Sequence, residues 1–241
     1  MEDSLAYARE RATELGLEVH ASTATNGVLS DKQIDWIIAN LDSVSLSFDG
    51  PPSMHDRHRL NILGQGSSEQ VISTIRRFDE ANFRYGLRVT VTADQISSLP
   101  DSVEFICSQF NPQRIQVEPS YQLGRWKDAV SAETSQFIDM FREAQTRAEK
   151  WNKEIYYSAA RVGLPTNHFC GITQDSFALS SDGNVSACYE VFSEKSEWAP
   201  IFFYGKPEKW SSRYSFDLEK LNHLRNQSVQ HREYCQGCFA K

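Results

Sequence analysis

The apolar positions alternate between two periods along the first two thirds of the chain. Leu5, Ala8, Ala12 and Leu15 fall at helical spacing and Gly16 follows as a C-cap, which predicts a helix over 4–15. Residues 17–25 then read as a strand that ends in the turn Asn26-Gly27. A second helix over 31–40, with Ile34, Ile37 and Ile38 inward, leads to a strand over 44–48 broken by Gly50-Pro51-Pro52. The pattern continues with a helix over 67–81 (Val71, Ile72, Ile75 and Phe78 on one stripe) and a strand over 87–92. A helix over 102–110 and a strand over 114–117 follow. Such alternation predicts an α/β fold with a parallel sheet.

Within the strands the pattern is unusual. Parallel strands covered on both faces are normally apolar throughout, yet Val44, Leu46 and Phe48 alternate with Ser45, Ser47 and Asp49. Leu87, Val89 and Val91 likewise oppose Arg88, Thr90 and Thr92, and Ile115 and Val117 oppose Gln116 and Glu118. Right-handed crossovers put consecutive helices on one side of the sheet. The expected form is therefore a curved sheet with helices outside and a polar lumen, suited to a polar small molecule near the carboxyl ends of the strands. Arg88 is placed either to face the carboxylate of a ligand in the lumen or to pair with Glu118 across adjacent strands.

A long helix over 132–151, with Phe137, Ile138, Phe141, Ala144 and Ala148 inward, and a strand over 154–159 close this part. Beyond it, segments 177–180 and 185–189 flank Ser181-Asp182-Gly183-Asn184, a hairpin signal, and a short helix over 218–226 precedes Cys235-Gln236-Gly237-Cys238. The expected domains are 1–165 and 166–241.

Composition narrows the function. The 241 residues are 40% hydrophobic and 24% charged, with a formal charge of -7. Without a lysine or arginine block, that balance argues against nonspecific nucleic-acid binding. The longest apolar runs, such as Ile201-Phe202-Phe203-Tyr204, fall far short of the roughly 20 residues of a membrane helix. Neither a membrane span nor a secretory signal is expected, and the setting reads as cytoplasmic. All five cysteines lie beyond residue 106. Cys107 sits among Phe105, Ile106 and Phe110 and reads as a buried core thiol. Cys170, Cys188, Cys235 and Cys238 read as ligands of one metal site, either zinc or iron-sulfur.

Several segments together resemble the radical S-adenosylmethionine (SAM) enzymes of the SPASM group. Ser45-Leu46-Ser47-Phe48-Asp49-Gly50-Pro51 followed by His55-Asp56-Arg57-His58-Arg59 is similar to that family's fourth-strand segment. Thr25-Asn26-Gly27 resembles the end of its third strand, and Glu118-Pro119 with Gly124-Arg125 its sixth. The spacing C-x12-G-x4-C followed by C-x2-C resembles the opening of its auxiliary-cluster pattern. The resemblance implies a partial (β/α)6 radical SAM barrel lacking its first strands, then an incomplete SPASM domain with a β-hairpin. It also implies SAM and [4Fe-4S] cofactors, a peptide or protein substrate, and a reducing donor such as flavodoxin or ferredoxin. The activity implied is hydrogen abstraction from a peptide by a 5′-deoxyadenosyl radical.

Asn26, Ser47 and Asp49 are the expected cofactor contacts, although Asn26 and Asp49 also suit turns before glycine. His55, Asp56 and Arg59 are spaced to fix the loop after the strand. The family's C-x3-C-x2-C motif has no counterpart, so the chain reads as a fragment, truncated at both ends and inactive alone. Tyr189, not aspartate, follows Cys188, which disfavours sulfatase maturation and favours another peptide modification. The competing expectation is a noncatalytic peptide-binding scaffold with a structural zinc site in the four cysteines.

Overall fold

The computed structural model describes residues 1–120, 133–160, 167–168, 170–174, 176–209, 211 and 213–237. The chain divides into two compact units, Met1–Arg161 and Val162–Lys241. The first unit runs α1 (Glu2–Leu15), β1 (Ser22–Thr25), α2 (Asp31–Asn40), β2 (Ser43–Ser47), α3 (Pro52–His55) and α4 (Ser68–Glu80). It continues with β3 (Tyr85–Val91), α5 (Leu99–Gln109), β4 (Arg114–Pro119), α6 (Thr134–Glu149) and β5 (Ile155–Tyr156).

The five strands are all parallel and lie in sequential order, β1-β2-β3-β4-β5. Each crossover thus steps over by one strand, and right-handed steps of that kind put the helices on one face. That face is the core. Val44, Leu46 and Phe48 of β2 and its end, Leu87, Val89 and Val91 of β3, and Ile115 and Val117 of β4 are buried there. They pack with Ile34 and Ile37 of α2, Val71, Ile75 and Phe78 of α4, Val103 and Ile106 of α5, and Phe137, Ala144 and Ala148 of α6. The opposite face stays open: Ser43, Ser45 and Ser47 are half-buried and Arg88 is exposed. The alternation in the sequence therefore marks a sheet with one packed and one polar face.

Local chemistry explains the element ends. Gln33 accepts the Ser30 N–H at 2.9 Å, capping the start of α2. Asp56 accepts the Ser68 N–H at 2.8 Å and the Ser68 hydroxyl at 2.6 Å, capping α4 from a loop twelve residues upstream. Gly66 allows this approach, because a Cβ there would collide with the Asp56 carboxylate. Gly16 ends α1 in the left-handed region at φ 65°. Cys107 is buried on α5, and burial pushes its thiol up to about 11.

The structure corrects several expectations. The first strand begins only at Ser22, since its pairing with β2 starts at Ser22–Ser43 and Leu17 is 64% exposed. Leu15 is exposed too, lying past the one buried residue of α1, Ala12. Ile138 is also exposed, because the inward stripe of α6 runs through Phe137, Ala144 and Ala148, and the next position turns away by about 100°.

The second unit is a four-stranded antiparallel sheet, β6 (Ala178–Leu179), β7 (Val185–Ser186), β8 (Phe203–Pro207) and β9 (Tyr214–Phe216), with α7 (Ala199–Phe202) and α8 (Leu218–Arg225). The hairpin expected from Asp182-Gly183 is present: the Ser180 N–H donates to the Asn184 carbonyl at 2.9 Å, and Gly183 has φ 85°. Asp217 caps α8 by accepting the Lys220 N–H at 2.9 Å. β8 and β9 carry no clean alternation, and Gly205 and Pro207 read as strand breakers, so the sequence pattern hides both.

Candidate functional site

Strand register lines up a row of side chains on the open face. Ser47 pairs with Arg88, Arg88 with Gln116, and Gln116 with Tyr156. The row offers a hydroxyl, a guanidinium, an amide and a phenol from adjacent strands. The Tyr156 hydroxyl donates to Gln116 Oε1 at 3.1 Å, and Gln116 Nε2 donates to Glu118 Oε1 at 2.7 Å. The same Glu118 oxygen accepts the Ser158 N–H at 3.0 Å. The expected Arg88–Glu118 pair does not form: Glu118 is buried and engaged by Gln116 of its own strand and by the Ser158 N–H beyond β5, and Arg88 makes no ion pair among the described residues. That leaves a cation available on the polar face.

Two residues further along β2 and β3, the carboxyl ends meet a buried network. Asp49 is 6% exposed, and Arg59 grips both of its carboxylate oxygens, with Nη2 to Oδ1 at 3.0 Å. The Thr90 N–H also donates to Asp49 Oδ1 at 2.8 Å, and Arg59 Nη2 donates to the Thr90 hydroxyl at 3.2 Å. Gly50 follows at φ 122°, with Ser102 so near that a Cβ would sit 2.6 Å from it, so the chain turns here only as glycine.

His55 is completely buried behind this pair. Its Nδ1 accepts the Asp49 N–H at 3.3 Å, so the ring proton is on Nε2, which donates to the Ser67 hydroxyl at 3.1 Å. Ser67 passes the chain on to the Arg59 carbonyl at 2.7 Å. Burial lowers the His55 pKa; the carboxylates of Asp49 and Asp56 pull the other way and Arg59 adds to the lowering. The trio His55, Asp56 and Arg59 thus fixes the loop after β2, by hydrogen bonds rather than by any reacting geometry.

A stability prediction follows from the neutral imidazole. As pH falls below 6.5, the unfolded chain takes up the proton first, so stability drops until the folded histidine also protonates. The slope from this group is at most about 1.4 kcal/mol per pH unit. Chemical denaturation between pH 7 and pH 5 should show wild type losing more stability than a His55→Gln variant. Equal slopes would remove His55 from the account.

Asn26 is exposed, and its Oδ1 accepts the Val28 N–H at 3.0 Å, while its amide nitrogen makes no hydrogen bond among the described residues. Its turn role is present and its donor is available. Sequence reasoning passed over Ser120, whose hydroxyl is buried without a partner among the described residues. Extending the β4 alternation by two positions beyond Glu118 would have put Ser120 on the polar face. Tyr156 was reachable the same way from its register with Gln116.

Of the expected metal ligands, Cys170 leads into the 3-10 turn Gly171–Thr173, Cys188 lies two residues beyond β7, and Cys235 ends the turn Glu233–Cys235. Cys238, like Gly124 and Arg125, lies outside the described residues. None of Cys107, Cys170, Cys188 and Cys235 is in a disulfide. Among the described residues no three His, Cys, Asp or Glu side chains gather as a metal-ligating group. The described residues alone therefore do not make up a cluster site.

The chain is similar in fold to anSMEcpe with bound AdoMet and the Cp18Cys peptide: TM-score 0.69 at 17% identity, covering 98% of this chain and 68% of that one. It is also similar to Streptococcus suis SuiB bound to S-adenosylmethionine, at TM-score 0.59 and 11% identity, covering 95% of this chain and 55% of SuiB. A second anSMEcpe structure with bound AdoMet gives TM-score 0.66 at 16% identity, and the chain spans 64% of it. No protein-family profile and no curated protein matches the sequence. Among the described residues no helix is long and apolar enough to cross a membrane.

Proposed function

We propose that this chain is the SAM-binding and peptide-binding part of a SPASM-type radical SAM enzyme that modifies a peptide. The observation that carries the reading is the fold likeness, over 98% of the chain, to an anSMEcpe structure that holds both AdoMet and a peptide. The unit Met1–Arg161 is then part of a (β/α)6 barrel, its open polar face the lumen, and Val162–Lys241 belongs to a SPASM domain.

The roles follow from chemistry. Arg88, exposed and without an ion pair among the described residues, holds the methionyl carboxylate of SAM. Ser47 and Ser120 offer hydroxyls to the ammonium or ribose, and Asn26 offers its amide nitrogen from the end of β1. Asp49 takes part through Arg59, since its carboxylate is already engaged; it sets the backbone that presents Ser47. When bound with a reduced [4Fe-4S] cluster, SAM supplies the radical that removes hydrogen from the peptide, with the electron drawn from a flavodoxin- or ferredoxin-type donor. No cysteine precedes Cys107, so this chain's own residues bind and orient rather than ligate that primary cluster.

The four later cysteines are the proposed ligands of an auxiliary [4Fe-4S] cluster, supported by their thiol chemistry and spacing. The same four thiolates also suit a second reading, a noncatalytic scaffold with structural zinc. Metal analysis after anaerobic purification decides between them. Iron with acid-labile sulfide, lost in a Cys188→Ala variant, is expected; stoichiometric zinc without iron would support the scaffold instead.

A further inference from the structure

The open face carries a polar hollow toward the amino-terminal ends of the strands, one row before Ser47, Arg88, Gln116 and Tyr156 and bordered by Gln116 and Tyr156 of that row. It has a volume of about 290 Å³, and Ser43, Ser45, Arg84, Gly86, Arg114 and Tyr156 are among its walls. Register puts Ser45, Gly86 and Arg114 in one row. Gly86 leaves the middle of that row without a side chain, which opens the floor of the hollow.

Its charge is one-sided. Arg84 Nε donates to Gln113 Oε1 at 3.3 Å, leaving the paired Nη groups of that guanidinium unused among the described residues. Neither Arg84 nor Arg114 makes an ion pair among the described residues, whereas Arg11, Arg57, Arg59, Arg77 and Arg147 all do. Among the described residues no Asp or Glu lines the hollow. None of the acids near it in sequence forms an ion pair with Arg84 or Arg114 among the described residues: Asp79 accepts the Tyr85 hydroxyl at 2.7 Å and Glu80 makes no ion pair. Asp42 accepts the Ala21 N–H at 2.6 Å, Glu118 is held by Gln116 and Ser158, and Glu154 forms no ion pair among the described residues. In a chain of net charge -7, two uncompensated guanidiniums on one concave surface make a local anion-attracting site. Guanidinium binds carboxylate through paired N–H groups, and the hydroxyls of Ser43 and Ser45 add neutral donors beside them.

We propose that this hollow takes the carboxylate of an acidic side chain in the peptide substrate, anchoring the peptide beside the row that carries Arg88. The proposal rests on the peptide-modifying reading above and narrows its substrate class to peptides with an acidic anchor. Fluorescence anisotropy with a labelled glutamate-rich peptide, and with the same peptide carrying glutamine at every glutamate, tests it. Wild type should bind the glutamate peptide about tenfold tighter or better, a preference that added salt reduces. An Arg84→Gln, Arg114→Gln double variant should bind both peptides alike, while Arg76→Gln on α4 should keep the preference. Circular dichroism checks that each variant is folded, which exposed arginines make straightforward.

SAM affinity, measured in parallel, should be equal in wild type and the double variant. A wild type that discriminates the peptides but binds no SAM would leave this site standing and sink the cofactor reading alone. No preference for the glutamate peptide, or a preference that survives in the double variant, would overturn the proposal. So would inorganic phosphate binding in preference to the peptide with the same arginine dependence, because the hollow would then belong to free phosphate.

Discussion

Replacing Arg59 with methionine should cost about 3 kcal/mol of folding stability at pH 7, the penalty for leaving a buried carboxylate without its cation. Asp49 is 6% exposed and keeps only the Thr90 N–H once the guanidinium is gone. An Asp49→Asn, Arg59→Met double variant should recover part of the loss, since neither partner then carries an uncompensated charge. Urea unfolding of the four proteins, analysed as a double-mutant cycle, measures it. A single-variant loss below about 1 kcal/mol would place the pair among ordinary surface ion pairs and remove its role in fixing the loop after β2.

That loop illustrates what sequence pattern can and cannot reveal. The spacing of His55, Asp56 and Arg59 after β2 indicated a hydrogen-bonding cluster, and the structure supplies its partners. Those partners, Ser67, Ser68 and Thr90, come from later elements and become neighbours only when α4 and β3 pack beside β2. Periodicity located α2, α4 and the polar face of β2–β4 because each depends on a stripe repeated over several residues. It overextended the first strand, whose limit is set by where β2 begins to pair rather than by its own residues. It also offered an Arg88–Glu118 pair, because adjacency across strands says nothing about competitors. Gln116 and the Ser158 N–H reach Glu118 instead. Ser120 escaped notice as a strand-end residue next to proline, although its register puts it on the polar face.

The largest binding effect should come from Arg88. An Arg88→Gln variant should weaken SAM binding by about tenfold or more, the cost of roughly 1.4 kcal/mol or above for a lost charge-assisted hydrogen bond to carboxylate. Ser47→Ala should cost less, since a neutral hydroxyl contributes about 1 kcal/mol. Folding stability should stay within about 0.5 kcal/mol of wild type for Arg88→Gln, because an exposed side chain without an ion pair among the described residues supports little packing. A weakened ligand with an unchanged fold separates a binding role from a structural one. Thermal unfolding alongside calorimetric titration reads both, and a variant that binds SAM as wild type does would take Arg88 out of the site.

The most direct measurement is a titration of SAM into the isotopically labelled chain, followed by amide chemical shifts. The account predicts shifts at Ser47, Arg88, Thr90 and Ser120, at the carboxyl ends of β2, β3 and β4, and none at the hairpin Ala178–Ser186. No shift at saturating SAM, or shifts confined to residues away from the open polar face, would contradict it.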